Sequence, residues 1–139
     1  MRQIVVMCFI FLFSTISNAQ EPEGIIIGVL LDGGNESERQ KLPLYKTEIS
    51  NANIEAGRID NVVFPENYVR QGDNTVAGVA KQFDELLKDR NVQFILTMGP
   101  IGAKVASDRG VNKRLPKPVV SPIVFDAELQ GIGKNIEQN

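Results

Sequence analysis

Strand-like and helix-like segments alternate along this chain of 139 residues, and no other feature constrains its fold as strongly. The strand-like runs are apolar and rich in β-branched residues, and they lie at 25–31, 62–64, 92–98 and 119–125. The first run shows no polar alternation, which is typical of a strand covered on both faces, as in a parallel sheet. The alternation therefore predicts an α/β fold with a mostly parallel, four-stranded sheet.

The first helical pattern has a clear start. Asn35 begins a capping box, in which its side chain accepts from a backbone N–H in the first turn and Glu38 reaches back. Gly57 is the expected end of this helix. Pro43 predicts a kink or a later start, because proline inside a helix removes a hydrogen bond at a cost of ~3 kcal/mol.

Two further helices are predicted downstream. Asp73 or Asn74 is the expected cap of the second helix, whose apolar stripe at 76–87 has the cleanest helical spacing in the chain. The third helix is expected from about 101 to 109 and carries Val105 inward. The helices should cover both faces of an open sheet, because parallel βαβ connections are right-handed.

Pro65 determines the predicted strand order. It closes the second run, and proline is tolerated at sheet edges and not in central strands, so this run should be an edge strand. The stretch 66–73 then reads as a long polar connection. The resulting order, 2-1-3-4, is that of an open, doubly wound, flavodoxin-like sheet that forms an incomplete lobe.

The first nineteen residues have the pattern of a secretory signal peptide. Arg2 precedes the apolar run 4–13, and Ser17 and Ala19 are small residues at the −3 and −1 positions of a cleavage site. A membrane anchor would need an apolar run of ~18 or more residues. We therefore predict an exported, periplasmic protein with no membrane insertion after cleavage. Residues 20–139 would form a single α/β lobe with a core at 24–126 and a C-terminal tail at 127–139.

Composition excludes several kinds of chemistry. The chain has no histidine, and its only cysteine, Cys8, lies inside the predicted leader. A zinc site, a Ser/His/Asp triad, a thiolate nucleophile and a disulfide framework are therefore not expected in the exported part. We expect no catalytic residues, no metal and no cofactor. A net charge of −2 without charged blocks gives no reason to expect nucleic acid as a partner.

Candidate ligand-binding residues follow the strand ends, because open α/β sheets bind ligands at the carboxyl edge, where neighbouring connections leave in opposite directions. In the predicted order this switch lies between the first and third strands. The candidates are Asp32, Gly33, Gly34 and Asn35 after the first strand, Gly99, Pro100 and Ile101 after the third, and Ser121 after the fourth. Both glycine turns lead into helix N-termini, whose free N–H groups suit a carboxylate or phosphate.

Each of these residues also has a purely structural interpretation. The glycines would serve equally as tight strand-to-helix turns, and Asp32 would serve as a turn cap in place of a ligand contact. Ser121 would donate to a ligand or bond locally beside its proline. No GxGxxG or GxxxxGK[ST] motif occurs after the first strand, and Met98-Gly99 stand where a phospho-accepting receiver domain would need an acidic residue.

The leader, the opening 25–32, the Gly99 turn and Lys117-Pro118-Val119-Val120 together resemble the first lobe of a class I periplasmic solute-binding protein. These are exported receptors of ATP-binding-cassette (ABC) transporters, in which two α/β lobes close on a small ligand. The resemblance implies a non-enzymatic lobe that holds a small polar solute, such as an amino acid, works with a membrane permease and belongs to a longer protein. It marks 32–34, 99–101 and Ser121 as the rim of the site.

Two other functions fit the same pattern. Lobes of this type also resemble components associated with outer-membrane efflux systems, which implies a sensor or adaptor role with an efflux component as partner. A flavodoxin-like protein that binds FMN is a further alternative, although the chain has no tryptophan to stack on a flavin. Ligand identity and the direction of transport do not follow from the residues.

Overall fold

The structure, a computed structural model, describes residues 24–58 and 61–124. Its elements are β1 (Ile25–Leu31), α1 (Glu36–Glu55), β2 (Val62–Val63), a 3-10 turn (Glu66–Tyr68), β3 (Val69–Gln71), α2 (Val76–Lys88), β4 (Phe94–Thr97), α3 (Pro100–Asn112) and β5 (Val119–Val120). The predicted leader, the end of the expected core at 125–126 and the tail at 127–139 lie outside the described residues.

All strand pairs in the described sheet are parallel, and the order is β2-β1-β4-β5. These four strands correspond to the second, first, third and fourth predicted runs, so the predicted order 2-1-3-4 is confirmed. The central strand β1 pairs with β4 along one edge, where Ile27 lies opposite Phe94. The α/β class and the incomplete, flavodoxin-like arrangement are thus present in the molecule.

One expected loop contains a strand. The stretch 66–73 was predicted as a polar connection, but it holds the 3-10 turn and then β3, which pairs with β1 on the same edge as β2. Tyr68 anchors this segment to the rest of the fold. Its side chain is buried in the core, and its hydroxyl accepts a hydrogen bond from Asn91 Nδ2 at 3.0 Å. The chain therefore rejoins the edge of β1 with a strand too polar to recognise by hydropathy.

The side chains of the strands alternate between two cores. On one face, which we call the α2/α3 face, Ile26 and Leu30 pack with Phe83 of α2 and Val105 of α3. The other face, which we call the α1 face, holds a second cluster, and α1 contributes only partly buried side chains to it. This cluster comprises Ile27, Val29, Leu31, Leu96 and Met98, with Leu42, Tyr45 and Ile49 packed against it.

The helix boundaries differ from expectation at two places. Thr75, and not Asp73 or Asn74, caps α2: its Oγ1 accepts from Gly78 N at 3.0 Å, while Asp73 Oδ1 accepts from Thr75 N. Asp73 therefore orders the turn before the cap. Helix α1 runs without interruption through Pro43, so the later start does not occur. In the described ranges, no helix has the length and apolar character that a bilayer span requires.

Candidate functional site

Asp32 connects the ends of two neighbouring strands. It follows β1 directly, and its Oδ2 and Oδ1 accept from Ile101 N and Gly102 N at the start of α3, each at 2.7 Å. The side chain is 3% exposed. A carboxylate placed at the positive end of a helix satisfies N–H groups that have no partner within the helix. Asp32 is therefore a cap, supplied by β1 to a helix about seventy residues further along.

Burial raises the pKa of Asp32 above the ordinary value of 3.8. The hydrogen bonds from Ile101 N and Gly102 N oppose this effect because they favour the charged form. The charge of the nearby Glu38 adds to the increase. Two backbone donors thus hold the carboxylate in a position where the loss of water destabilises its charged form.

Gly99 leaves the space that Asp32 fills. A Cβ at Gly99 would lie 2.2 Å from Asp32 Oδ2 and 2.4 Å from Asp32 Cγ. Both distances are far below van der Waals contact, and Asp32 would have to give up its hydrogen bonds to α3 to make room. The glycine is therefore required by this chain's own Asp32 side chain.

Glu38 accepts hydrogen bonds from backbone N–H groups of the first glycine turn, as Asp32 does from those of α3. Its Oε2 accepts from Gly34 N at 2.8 Å and, more weakly, from Gly33 N at 3.4 Å. The backbone N–H of Glu38 in turn donates to Asn35 Oδ1 at 3.0 Å, so the predicted cap by Asn35 is present. Glu38 reaches past the cap residue to the two glycines, however, because Gly34 turns the chain with a φ of 62°.

Backbone donors that the expected mode of ligand binding would use have partners within the chain. The amides of Gly33, Gly34 and Ile101 donate to this chain's own carboxylates. Pro100 has no N–H to offer. The glycine corners therefore cannot hold a carboxylate or phosphate through these groups unless Asp32 or Glu38 moves. Of the two interpretations of Asp32, the structure shows a cap, and the cap belongs to a distant helix.

A cavity of about 160 Å³ nevertheless lies at the predicted switch between β1 and β4. It brings together Asn35 from the first turn and Gly99 and Pro100 from the second, as expected. The residues that complete its lining are Ser37, Glu38, Lys41, Met98 and Ile123. Neighbouring connections leave the sheet in opposite directions here, and this produces the crevice.

Three hydrogen-bond donors on this lining are unused. Within the described ranges, Asn35 Nδ2, Ser37 Oγ and Lys41 Nζ have no hydrogen-bond or ion-pair partner. All three belong to the first turns of α1 or to its cap, so the helix itself fixes their spacing. Pro100 and Ile123 add partly exposed apolar surface, whereas Met98 is fully buried. The crevice thus combines exposed donors with a small apolar surface.

Ser121 lies close to this edge but lines a different and larger cavity, of about 910 Å³, together with Ala103, Ala106 and Pro118. Its Oγ lies 2.6 Å from Thr97 Oγ1 at the end of β4, and either hydroxyl can donate. The local interpretation of Ser121 therefore has a definite partner in the neighbouring strand. Thr97 is fully buried, so the pair joins the last two strands beside the crevice.

Sequence reasoning missed Ser37 and Lys41. Their spacing of four residues places them on one side of α1, and Asn35 as the cap fixes which turn they occupy. That signal was present in the sequence but is common on solvent-facing helices. Among residues 24–58 and 61–124, no group of three or more carboxylates or thiols stands close enough to hold a metal ion.

No protein-family model, no curated protein and no solved structure matches this chain. The resemblance to class I solute-binding proteins therefore stays a prediction that is based on sequence pattern alone.

Proposed function

We propose that this chain is an exported, non-catalytic α/β lobe that binds a small polar solute at the carboxyl edge of its sheet. The observation that carries the proposal is that three exposed residues, Asn35, Ser37 and Lys41, line one cavity at the switch between β1 and β4, and that their side-chain donors have no partner within the described ranges. Side chains of α1, and not the backbone amides of the glycine turns, would make the polar contacts.

The composition of the lining supports an amino acid as the ligand class. A carboxylate would accept from Lys41 Nζ and the neighbouring donors, while the apolar part would rest against Pro100 and Ile123. The volume of about 160 Å³ is below the ~300–1,000 Å³ of typical ligand pockets, which favours a small solute. The ligand carboxylate would form an ion pair with the Lys41 ammonium, and Asp32 and Glu38 would keep their positions.

The two buried carboxylates would make the site rigid. Asp32 fixes the start of α3, and Glu38 fixes the turn before α1, so both walls of the crevice are held by hydrogen bonds within the lobe. A preformed site loses less entropy when it binds than one that must order first. By the resemblance to two-lobed receptors, a second α/β body would cover the solute, and a membrane permease would receive it.

The FMN alternative has weaker support. A flavin phosphate would need the amide donors at the glycine turns, and these donate to Glu38 and Asp32. The cavity is also small for a flavin ring. We therefore keep solute binding, either for transport or for sensing, as the proposal.

A thermal-shift screen of amino acids, nucleosides and sugars tests this function. A ligand at a hundred times its Kd stabilises a protein by about 2.7 kcal/mol, which corresponds to a melting shift of several degrees for a domain of this size. We expect one or more amino acids to raise the Tm of the wild type and of Lys81→Met, but not that of Lys41→Met. Lys81 is an exposed lysine on α2, away from the cavity, and is the matched control.

Unchanged melting curves across all three ligand classes would contradict the proposal. A shift that survives in Lys41→Met would place the ligand elsewhere. Cell fractionation tests the predicted export separately, since the proposal requires a periplasmic product shortened at about residue 19.

A further inference from the structure

A second groove lies on the α1 face of the sheet, at the opposite end of the strands from the crevice. Its volume is about 350 Å³, within the range of small-molecule sites. The floor is formed by Ile25, Ile27, Val62, Phe94, Leu96 and Val120. The second half of α1 forms the wall through Ile49, Ala52, Asn53 and Ala56. An apolar floor thus meets a mostly apolar wall, in which Asn53 is the polar residue.

The groove exists because α1 covers this face incompletely. Two helices, α2 and α3, cover the other face of the sheet, whereas α1 is the only helix on this one in the described ranges. Val120 of β5 is 51% exposed at the far side of the floor. An apolar ligand would therefore remove from water a surface that the described part of the chain leaves open.

Arg58 gives this groove a chemical preference. It is the only charged residue on the lining and follows the end of α1, beyond Gly57 with its φ of 67°. Within the described ranges, its guanidinium has no ion-pair partner. A guanidinium binds a carboxylate through two parallel hydrogen bonds. An apolar groove that ends at an arginine without an ion-pair partner in the described ranges is complementary to a molecule with an apolar body and an anionic head.

A second copy of the chain fits this surface less well. A stable dimer buries ~800 Å² on each partner. The exposed large apolar side chains of the described ranges, Leu44, Ile54, Val76, Val111 and Val120, are spread over different elements. Only Val120 among them lines the groove. The apolar surface is therefore a narrow slot and not a broad patch.

We propose that this groove binds a small amphiphilic carboxylate, such as a medium-chain fatty acid, with its carboxylate on Arg58 and its chain along Ile27, Phe94 and Leu96. The site is separate from the crevice and does not depend on the solute-binding function. It would take a ligand of a different class, at the amino edge of the sheet.

Titration calorimetry with octanoate and decanoate below their micelle concentrations tests the proposal. We expect saturable one-to-one binding to the purified chain, with the affinity rising about two- to fourfold for each added methylene. Arg58→Gln should weaken decanoate about tenfold and leave decanol unchanged, because only the carboxylate uses the guanidinium. Arg90→Gln, an exposed arginine outside the groove, should change neither.

A second variant separates the groove from other apolar surface. Ala52→Trp, or Ala56→Trp if the first folds poorly, fills the groove from exposed positions and should abolish binding of both ligands. Lys41→Met should leave decanoate binding intact, which distinguishes this site from the crevice. Unsaturable binding, full affinity in the tryptophan variant, or a concentration-dependent dimer that decanoate does not dissociate would each overturn the proposal.

Discussion

Asp32 shows how one residue joins two parts of a fold that are distant in sequence. Its carboxylate leaves β1 and caps α3 through Ile101 N and Gly102 N. A buried donor that loses its acceptor costs about 1–3 kcal/mol. The side chain therefore stabilises the packing of β1 against α3, and it also removes from the surface the amides that a ligand would otherwise use.

Replacement of Asp32 tests this role through its pH dependence. Asn is isosteric with Asp but cannot ionise, so the difference in the free energy of unfolding between the wild type and Asp32→Asn isolates the contribution of the Asp32 charge. Burial raises the pKa of Asp32 in the folded chain above 3.8, so the folded chain binds the proton more tightly than the unfolded chain. The advantage of the wild type should therefore be largest below pH 3.8 and should decrease as pH rises through the folded pKa.

Urea unfolding of both proteins from pH 3 to pH 7 measures that difference. Asp108→Asn is the control, because its partner Lys104 makes a surface ion pair worth at most about 1 kcal/mol. If the advantage of the wild type grew with rising pH, the two hydrogen bonds would outweigh burial, and our account of the Asp32 pKa would be wrong.

Gly99 and Gly110 form a matched pair for the close approach at α3. Gly99→Ala would drive a Cβ into the Asp32 carboxylate at 2.2 Å, so we expect destabilisation by about 1–3 kcal/mol as the cap is displaced. At Gly110 the nearest side-chain atoms, those of Leu115, are 4.0 Å from the new Cβ. Gly110→Ala should stabilise the helix by about 0.4–1 kcal/mol. Equal effects in thermal melts of the two variants would contradict the assigned contact.

At the scale of elements, α1 is the least anchored helix. Glu38 is its only fully buried residue in the described ranges, whereas α2 buries Val79, Phe83 and Leu86. Pro43 also removes one hydrogen bond from its middle. Both facts lower the free energy needed to open α1 relative to the rest of the fold.

Hydrogen exchange measures this difference directly. Amides in the second half of α1 should exchange faster than those in the middle of α2, because local opening exposes fewer buried apolar contacts. The reverse order would show that the α1 face is better covered than the described residues indicate. Binding of decanoate in the groove should slow exchange in the second half of α1 more than in α2.

The elements also show where sequence reasoning was sufficient and where it was not. β1 was predictable because its seven residues form a continuous apolar run, and the position of β2 at the edge followed from Pro65. β3 was not predictable, since Arg70 and Gln71 have a strand conformation only because they pair with β1. Local hydropathy carries no information about that pairing.

Some features of the candidate site were likewise predictable from the sequence, and others were not. Its place at the switch between β1 and β4 followed from the strand order, and the cap by Asn35 followed from the local motif. The partners of Asp32 did not follow, because Ile101 and Gly102 are about seventy residues away and the contact depends on packing. The glycine turns therefore resembled vacant anion-binding sites. In the structure, the carboxylates of Asp32 and Glu38 accept from the N–H groups of these turns.

At the scale of the whole molecule, the described part of the chain has several openings, and two of them lie at opposite ends of the sheet. The crevice at the carboxyl edge combines exposed donors with a small apolar surface, and the groove at the amino edge is mostly apolar, with Asn53 and one charged residue, Arg58. We propose that the first binds a polar solute and the second an amphiphilic carboxylate. Both depend on α1, whose first turns line the crevice and whose second half walls the groove.

The central claim is that side chains of α1, and not backbone amides of the glycine turns, contact the solute. An NMR titration with the amino acid that gives the largest thermal shift tests it most directly. We expect the largest changes at the Lys41 ammonium and at the Asn35 side-chain amide, with the backbone amides of Ile101 and Gly102 almost unchanged. Largest shifts at Ile101 and Gly102 would contradict the claim, because the ligand would then have displaced Asp32.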